Sequence, residues 1–346
     1  MTSALQHLGL ALPVIQAPMA GSQGSALAIA VSNAGGLGSI PCAMLAPDAL
    51  WRELALLRAG TPNAFNLNFF CHQPPQADAA VLQAWRARFA GYYAELGVDP
   101  EAQPAGPARQ PFNADMAAVV AETRPAVVSF HFGLPAPELL AVVKGSGALV
   151  LGSATTVAEA RWLEANGADA VIAQGVEAGG HRGMFLETDI ATQIGTFALL
   201  PQVVAAVRIP VIAAGGIASA EGVRAALALG AVAAQVGTAY LLCPEATTSA
   251  VHRAALKAPD AGVTALTNVF SGRPARGMFN RLMRELGPMH ADAPAFPLAT
   301  AASAPLRAVA EAAGRGDFSP LWAGQNITGC AEIPAAELTR RLASLA

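Results

Sequence analysis

Short apolar runs alternate with longer amphipathic segments through most of this 346-residue chain. The apolar runs predict buried strands, and the spacing in segments such as 158–166 and 220–229 predicts helices. Repeated strand–helix units indicate a parallel sheet, and eight of them favour a closed barrel over an open sheet. We therefore predict an α/β protein, a (β/α)₈ TIM barrel whose strands are 14–17, 36–40, 64–68, 127–131, 148–152, 170–174, 210–214 and 231–236.

Two regions interrupt the barrel pattern. Residues 72–112 carry Trp85, Tyr92, Tyr93 and a proline-rich loop over 100–111, and residues 245–305 have a mainly helical pattern. Both follow predicted strands, so both should emerge at the carboxyl-terminal face of the barrel, where active sites lie. We predict a smaller, mostly helical cap that lines a pocket, with solvent-facing insertions as the alternative. The predicted division is a barrel of 1–75, 112–244 and 306–346 and a cap of 76–111 and 245–305.

Composition limits the partners. The chain is 53% hydrophobic and 13% charged with a net charge of −3, so it offers no basic surface for nucleic acid or for an anionic membrane. Prolines and glycines interrupt the uncharged stretches 8–47 and 225–244, which suits a barrel better than a membrane span. The first residues lack the cationic segment of a signal peptide. The four cysteines have no metal-ligand spacing, so we expect no metal and reduced thiols in a cytoplasmic protein.

Glycines follow the last two predicted strands. Gly215 and Gly216 come after strand seven, and Gly237 and Thr238 come after strand eight. In TIM barrels the loops after these two strands commonly bind phosphate through backbone N–H groups at a helix N-terminus. Ser219 can cap the helix that follows. The two positions together predict a phosphate site; the alternative is a pair of tight turns without a ligand.

Two amides end apolar strands. Asn68 and Gln174 should be buried there, and buried amides need hydrogen-bond partners. A flavin ring has alternating carbonyl and N–H groups that could supply them. An internal hydrogen-bond pair between strands would satisfy them equally, and the predicted phosphate site favours the flavin.

A histidine lies in a glycine-rich loop after strand six. His181 stands within Gly175–Gly183, where glycines allow close approach of a flat ligand and histidine can move protons near neutral pH. His131, at the end of strand four, is either a pocket residue or a satisfied core histidine. Glu177 and Arg182 either orient the loop or are solvated.

Two further arginines, Arg273 and Arg276, can bind an anion or serve a structural role; we favour the structural role.

With these residues assembled, the chain resembles the nitronate monooxygenase family, from Gln16-Ala17-Pro18-Met19 through Trp322-Ala323-Gly324-Gln325. Its most specific segments are 129–133, 177–183, 213–217 and 235–238. The resemblance implies an FMN-containing TIM barrel with a second domain over the flavin. It implies that His181 is catalytic and that Met19 lies near the flavin. It also implies that FMN contacts Asn68, Gln174, Gly179, Gly216, Gln235, Val236, Gly237 and Thr238.

The activity implied by the resemblance is oxidation of alkyl nitronates by O₂ to a carbonyl compound and nitrite, with propionate 3-nitronate as the expected substrate. Alternatives on the same barrel are an FMN-dependent enoyl-thioester reductase, which has a similar histidine loop, and an NAD(P)H:quinone reductase. A non-catalytic flavin or phosphometabolite binder and a barrel with purely structural glycines are the remaining alternatives. The expected assembly is a monomer or a homodimer.

Overall fold

Eight parallel strands close into a barrel in the computed structural model, which describes residues 10–102, 109–259 and 261–346. The described strands, in chain order from β1 to β11, are Val14–Gln16, Gly38–Pro41, Phe65–Phe70, Val127–His131, Leu149–Ala154, Ala170–Gln174, Gly180–His181, Val211–Ala214, Ala233–Val236, Thr264–Thr267 and Ala275–Met278. The barrel order is β1-β9-β8-β6-β5-β4-β3-β2. A parallel bridge between Ile15 and Leu37 joins the first strand to the last and closes the ring. The predicted TIM barrel is confirmed.

Each predicted apolar run overlaps one barrel strand, and the predicted and observed strand ends differ by at most two residues. The agreement has a simple cause: these strands are covered on both faces, so most of their side chains are apolar. The predictions that concern residues 1–9, 103–108 and 260 lie outside the described residues.

Helices alternate with the barrel strands and pack outside them. The described helices, α1 to α13, are Ser25–Asn33, Pro47–Gly60, Ala79–Ala87, Ala90–Leu96, Ala114–Thr123, Pro137–Gly145, Val157–Ala165, Thr196–Ala206, Ala220–Ala228, Ala250–Leu256, Arg281–Leu286, Thr300–Ala312 and Ala335–Leu342. Polar residues start several of them; Ser219 accepts a hydrogen bond from the backbone N of Gly222, which confirms the predicted cap of α9.

The two insertions pack against each other through a separate apolar cluster. Trp85, Phe89 and Tyr93 from the first insertion lie against residues of the second, including Phe270 and Leu306. Two hydrogen bonds cross the same contact, from Trp85 Nε1 to the carbonyl of residue 299 and from Tyr93 Oη to that of residue 302. Tyr93 is buried in this cluster, and Tyr92 packs against it.

The second insertion is not wholly helical. It contains β10 and β11, which form an antiparallel sheet with β7. The sequence analysis missed all three because each has four residues or fewer, and because β7 pairs with a strand distant along the chain. The helix α12 also crosses the predicted boundary between residues 305 and 306, and the division into two domains stays a prediction.

Candidate active site

A cavity opens at the carboxyl-terminal ends of the barrel strands. It encloses about 1350 Å³ of empty space, part of it open to solvent. Every barrel strand contributes a residue at or next to its end: Ala17, Pro41, Asn68, Ser129, Ser153, Gln174, Ala214 and Gln235. Loops and the far end of the chain complete the wall. The cavity therefore lies where TIM-barrel enzymes hold their substrates.

Polar side chains lie on the barrel floor of this cavity. The Nδ2 of Asn68 donates to Ser129 Oγ at 2.9 Å. Gln174 uses its amide on the histidine loop: its Nε2 donates to the carbonyl of His181 at 3.0 Å, and its Oε1 accepts from Gly183 N at 2.8 Å. Gln235 differs, because its buried Oε1 has no hydrogen-bond partner among the described residues. A buried acceptor without a partner is costly, and a ligand can relieve that cost.

Backbone N–H groups are exposed to the cavity at the turns after β8 and β9. Within the described ranges, no protein acceptor takes the N–H of Gly216, Gly237 or Thr238. Gly216 has φ +71, a conformation that glycine adopts without strain. Its carbonyl accepts from Asn326 Nδ2 at 2.9 Å. These donors give one wall an anion-binding character without a side-chain cation.

His181 is held on three sides. Its strand, β7, pairs with β11, with His181 opposite Ala275. Its carbonyl accepts from Gln174 Nε2, and also from His131 Nε2 at 3.1 Å. Its ring Nε2 lies 2.9 Å from Ser271 Oγ. The loop is therefore fixed by both barrel and cap before any ligand binds.

The partners assign the hydrogen on one of these two rings. A carbonyl oxygen only accepts, so His131 Nε2 must carry the hydrogen in its bond to His181. Ser271 Oγ lies 2.9 Å from Nε2 of His181 and 3.4 Å from the carbonyl of Arg273, and the shorter contact fits either tautomer of His181.

Both cavity histidines are neutral at physiological pH. Burial, and next the positive charge of Arg109, hold the pKa of His181 well below its usual value of 6.5. Burial lowers the pKa of His131 to about 3, although its bond to the His181 carbonyl acts the other way. A neutral His181 is able to accept a proton.

Two buried arginines, one in the histidine loop and one in the cap, donate hydrogen bonds to backbone carbonyls. Arg182 is fully buried and donates to the carbonyls of Gln174 and Gly175 and to Gln193 Oε1, at 2.6 to 2.9 Å. It orients the loop, and the alternative that it is solvated is wrong. Arg276 donates to the carbonyl of Val176 at 2.8 Å and to Thr264, which agrees with the favoured structural role.

Arg273 and Glu177 also bond within the protein. Arg273 donates to the carbonyl of Met184, and its guanidinium carbon lies 4.0 Å from the ring centroid of Phe132. Glu177 accepts from the backbone N and the hydroxyl of Thr196, so it also anchors the loop.

Most of the residues singled out in the sequence line the cavity, namely Met19, Asn68, His131, Gln174, Gly179, His181, Gly215, Gly216, Gln235, Gly237 and Thr238. Val236 does not; its side chain packs in the apolar core between the barrel and α13. Sequence reasoning missed Phe70, Arg109, Trp322, Gly324 and Asn326, which also line the cavity. Of these, only Phe70 had a local signal, since it extends a predicted strand.

Other kinds of site were searched for in the described parts of the chain. They contain no cluster of His, Cys, Asp or Glu able to hold a metal ion. No helix among them combines the length and apolar character needed to cross a bilayer.

A barrel with a polar, histidine-bearing cavity beneath a cap defines the chain as a TIM-barrel enzyme. A family model described as nitronate monooxygenase matches residues 2–344. Nitronate monooxygenases from Paraburkholderia phytofirmans and Pseudomonas aeruginosa are 44% and 46% identical, over 98% and 97% of this chain and 93% and 96% of theirs. The chain belongs to the nitronate monooxygenase family and is a flavin-dependent oxidoreductase of monooxygenase type.

Solved structures agree with this assignment. A nitroalkane oxidase from Streptomyces ansochromogenes superposes with a TM-score of 0.90 at 42% identity, covering 99% of this chain and 97% of the other. FabK from Thermotoga maritima gives a TM-score of 0.75 at 29% identity, with coverages of 100% and 96%. Both similarities extend over the barrel and the cap together.

Proposed function

We propose that this enzyme uses FMN to oxidise alkyl nitronates with O₂, forming a carbonyl compound and nitrite, and that propionate 3-nitronate is a substrate. The observation that carries the proposal is the neutral His181, whose partly buried ring faces a cavity with unused hydrogen-bonding groups on its barrel side. The two relatives named above are nitronate monooxygenases, and this chain matches them over nearly their whole length.

The residues of the barrel wall suit FMN. The unpartnered Oε1 of Gln235 can accept from a ring N–H, and the Asn68 amide lies on the same floor. The free N–H groups of Gly216, Gly237 and Thr238 suit a phosphate. Apolar groups of Ala17, Met19, Ile172 and Ala214 also line the cavity. When bound, FMN would accept electrons from the nitronate and pass them to O₂.

We assign the protein's own part of the reaction to His181. Its neutral ring accepts a proton from the carbon of a neutral nitroalkane, and the resulting imidazolium attracts the nitronate anion. Ser271 fixes the ring through its hydrogen bond with Nε2, and Gln174 and His131 fix the backbone through the His181 carbonyl. In this scheme His131 positions the catalytic residue, and its Nε2 is not free for substrate.

The cysteines bear on the cellular compartment of the protein. All four cysteines are free, at 42, 71, 243 and 330, which suits a reducing compartment. We propose that the enzyme works in the cytoplasm.

The test is an absorbance spectrum of the purified protein without oxygen, before and after addition of propionate 3-nitronate. We expect a flavin spectrum that changes on addition of the nitronate, followed by nitrite when air is admitted. A flavin spectrum that ignores the nitronate but is bleached by NAD(P)H would overturn the proposal in favour of a reductase on the same barrel. A spectrum unaffected by both compounds would indicate a flavin-binding protein without this activity.

A further inference from the structure

A smaller cavity adjoins the large one. It encloses about 540 Å³ of empty space and shares four lining residues with the large cavity: Ala20, Ser22, Arg109 and Trp322. The rest of its polar wall comes from Ser249, His252, Arg307, Glu311 and Ser319. The two spaces are therefore neighbouring compartments, and Arg109 stands at their junction.

Arg109 is a cation without an anionic partner among the residues that the structure describes. Its guanidinium makes no hydrogen bond or ion pair with any residue in the described ranges, and its guanidinium carbon lies 5.9 Å from the ring centroid of Phe296. The buried guanidinium of Arg182, in contrast, is bound by two carbonyls and a glutamine. An unpaired and partly desolvated cation is costly unless an anion joins it.

A second unused group lies in the smaller cavity. The Nε2 of His252 is buried and has no hydrogen-bond partner among the described residues, and the residue is only 6% exposed. Burial and the charge of Arg307 lower the pKa of His252 to about 4, so the ring is neutral and can donate one hydrogen bond. Arg109 and His252 thus offer donors to the same compartment.

The charge of this compartment favours an anion. Arg307 is paired with Glu311, with 2.7 Å between Nε and Oε1, and Glu311 also accepts from Ser319 Oγ. The charge of Arg109 is left uncompensated beside that pair. A small anion is attracted there, and a carboxylate matches the planar fork of a guanidinium.

The ring of Phe296 packs between Arg109, at the junction of the two cavities, and His181. The Phe296 centroid lies 5.1 Å from the ring centroid of His181 and 5.9 Å from the guanidinium carbon of Arg109. Arg109 and His181 also line the same large cavity, so a molecule with one anionic end at each of them needs only a short apolar chain between the two groups.

We propose that Arg109, supported by His252, binds the carboxylate of a nitronate substrate whose nitronate group lies at His181. This inference rests on the proposed function. It assigns preference for carboxylated over plain alkyl nitronates to two residues of the smaller cavity.

The test compares two nitronates of equal chain length, propionate 3-nitronate and propyl-1-nitronate, in which a methyl group replaces the carboxylate. In Arg109→Gln we expect kcat/KM for the carboxylated substrate to fall about 10- to 100-fold, mainly through KM, because a charge-assisted bond is lost. The value for propyl-1-nitronate should change less than about 3-fold. His252→Phe should show a smaller loss with the same selectivity. Arg52→Gln, on the exposed face of α2, is the matched control.

A second measurement does not depend on turnover. Propionate and propionamide are titrated into FMN-loaded protein by calorimetry, and the Kd for propionate alone should rise about 10-fold in Arg109→Gln. Equal losses for both nitronates, or no loss for either, would overturn the carboxylate site. If the parent protein oxidises neither nitronate but binds propionate through Arg109, the proposed function fails and the carboxylate site stands.

Discussion

The two walls of the cavity are built in different ways. The barrel wall consists of strand ends and the turns directly after them, such as Asn68, Gly216 and Gln235. The cap wall brings together His181 and Arg109 from separate segments. It is held by the contacts of Ser271 and Phe296 with His181 and by the three-stranded sheet of β7, β10 and β11. The barrel wall is thus fixed by the strand ladder, and the cap wall by contacts between distant residues.

The walls also differ in the groups they leave unused. The barrel wall offers backbone N–H groups and one amide oxygen, which suit a phosphate and a planar ring. The cap wall offers a neutral histidine and an unpaired arginine, which suit a proton and an anion. If this division is correct, substitutions on the barrel wall change cofactor binding, and substitutions on the cap wall change turnover.

The largest effect is expected on the cap wall. His181→Asn should lower kcat for a nitroalkane about 10²- to 10⁴-fold, the usual cost of losing a general base. FMN content should be unchanged, because the backbone of residue 181 remains held through its carbonyl. Steady-state kinetics and the absorbance of bound flavin measure the two quantities. Unchanged nitroalkane turnover in a fully loaded variant would contradict this role.

The pH profile sharpens the same prediction. The base must be neutral, and the pKa of His181 lies well below 6.5, so turnover of a neutral nitroalkane should not fall as pH drops through 6.5. The loss should begin only at more acidic pH. His290→Asn, which replaces a histidine outside both cavities, is the control and should behave as the parent.

An intermediate effect is expected on the barrel wall. Gly216→Leu should weaken FMN binding at least about 10-fold, because a side chain at φ +71 shifts the backbone N–H groups that suit the phosphate. Gly314 has the same φ of +71 and lies at the end of α12, away from both cavities. Gly314→Leu should therefore cost similar stability, about 1–2 kcal/mol, without loss of FMN. Equal FMN retention by the two variants would show that the turn after β8 does not hold the phosphate.

The same division explains what the sequence could predict. The eight barrel strands and the glycine turns after β8 and β9 follow from apolar runs and from residues next to them, so their positions agree within two residues. Asn68 and Gln174 were found because an amide at the end of an apolar strand stands out locally, whereas Gln235 was indicated only by the family resemblance. The position of His181 followed from the glycines around it.

Apart from His181, the residues and strands of the cap wall could not be predicted from the sequence, and the cause is physical. Ser271 bonds to a histidine 90 positions earlier in the chain, and β11 pairs with the distant β7 as well as with the neighbouring β10. No periodicity within residues 264–278 indicates these partners. Arg109 lies within the proline-rich stretch 100–111 and has no local pattern of its own. Contacts of this kind depend on packing between elements, which a local pattern does not specify.

The smallest effect, and the one that separates cofactor binding from folding most directly, is expected at Gln235. Gln235→Met keeps the length of the side chain but removes the buried Oε1 that lacks a partner. Without FMN, the variant should unfold with a free energy about 1–2 kcal/mol higher than the parent, since an unsatisfied acceptor is removed. FMN should bind about 10-fold more weakly, because the ring loses that acceptor.

The two changes expected in Gln235→Met have opposite signs: the free energy of unfolding rises, and the affinity for FMN falls. Denaturant unfolding of the cofactor-free protein gives the stability, and fluorescence titration with FMN gives the affinity. Gln202→Met, on the exposed side of α8, controls for the chemical change and should leave FMN binding unaltered. A variant at Gln235 that loses stability and keeps its FMN affinity would mean that the amide oxygen serves the barrel alone. The barrel wall would then hold the flavin through its backbone groups and Asn68.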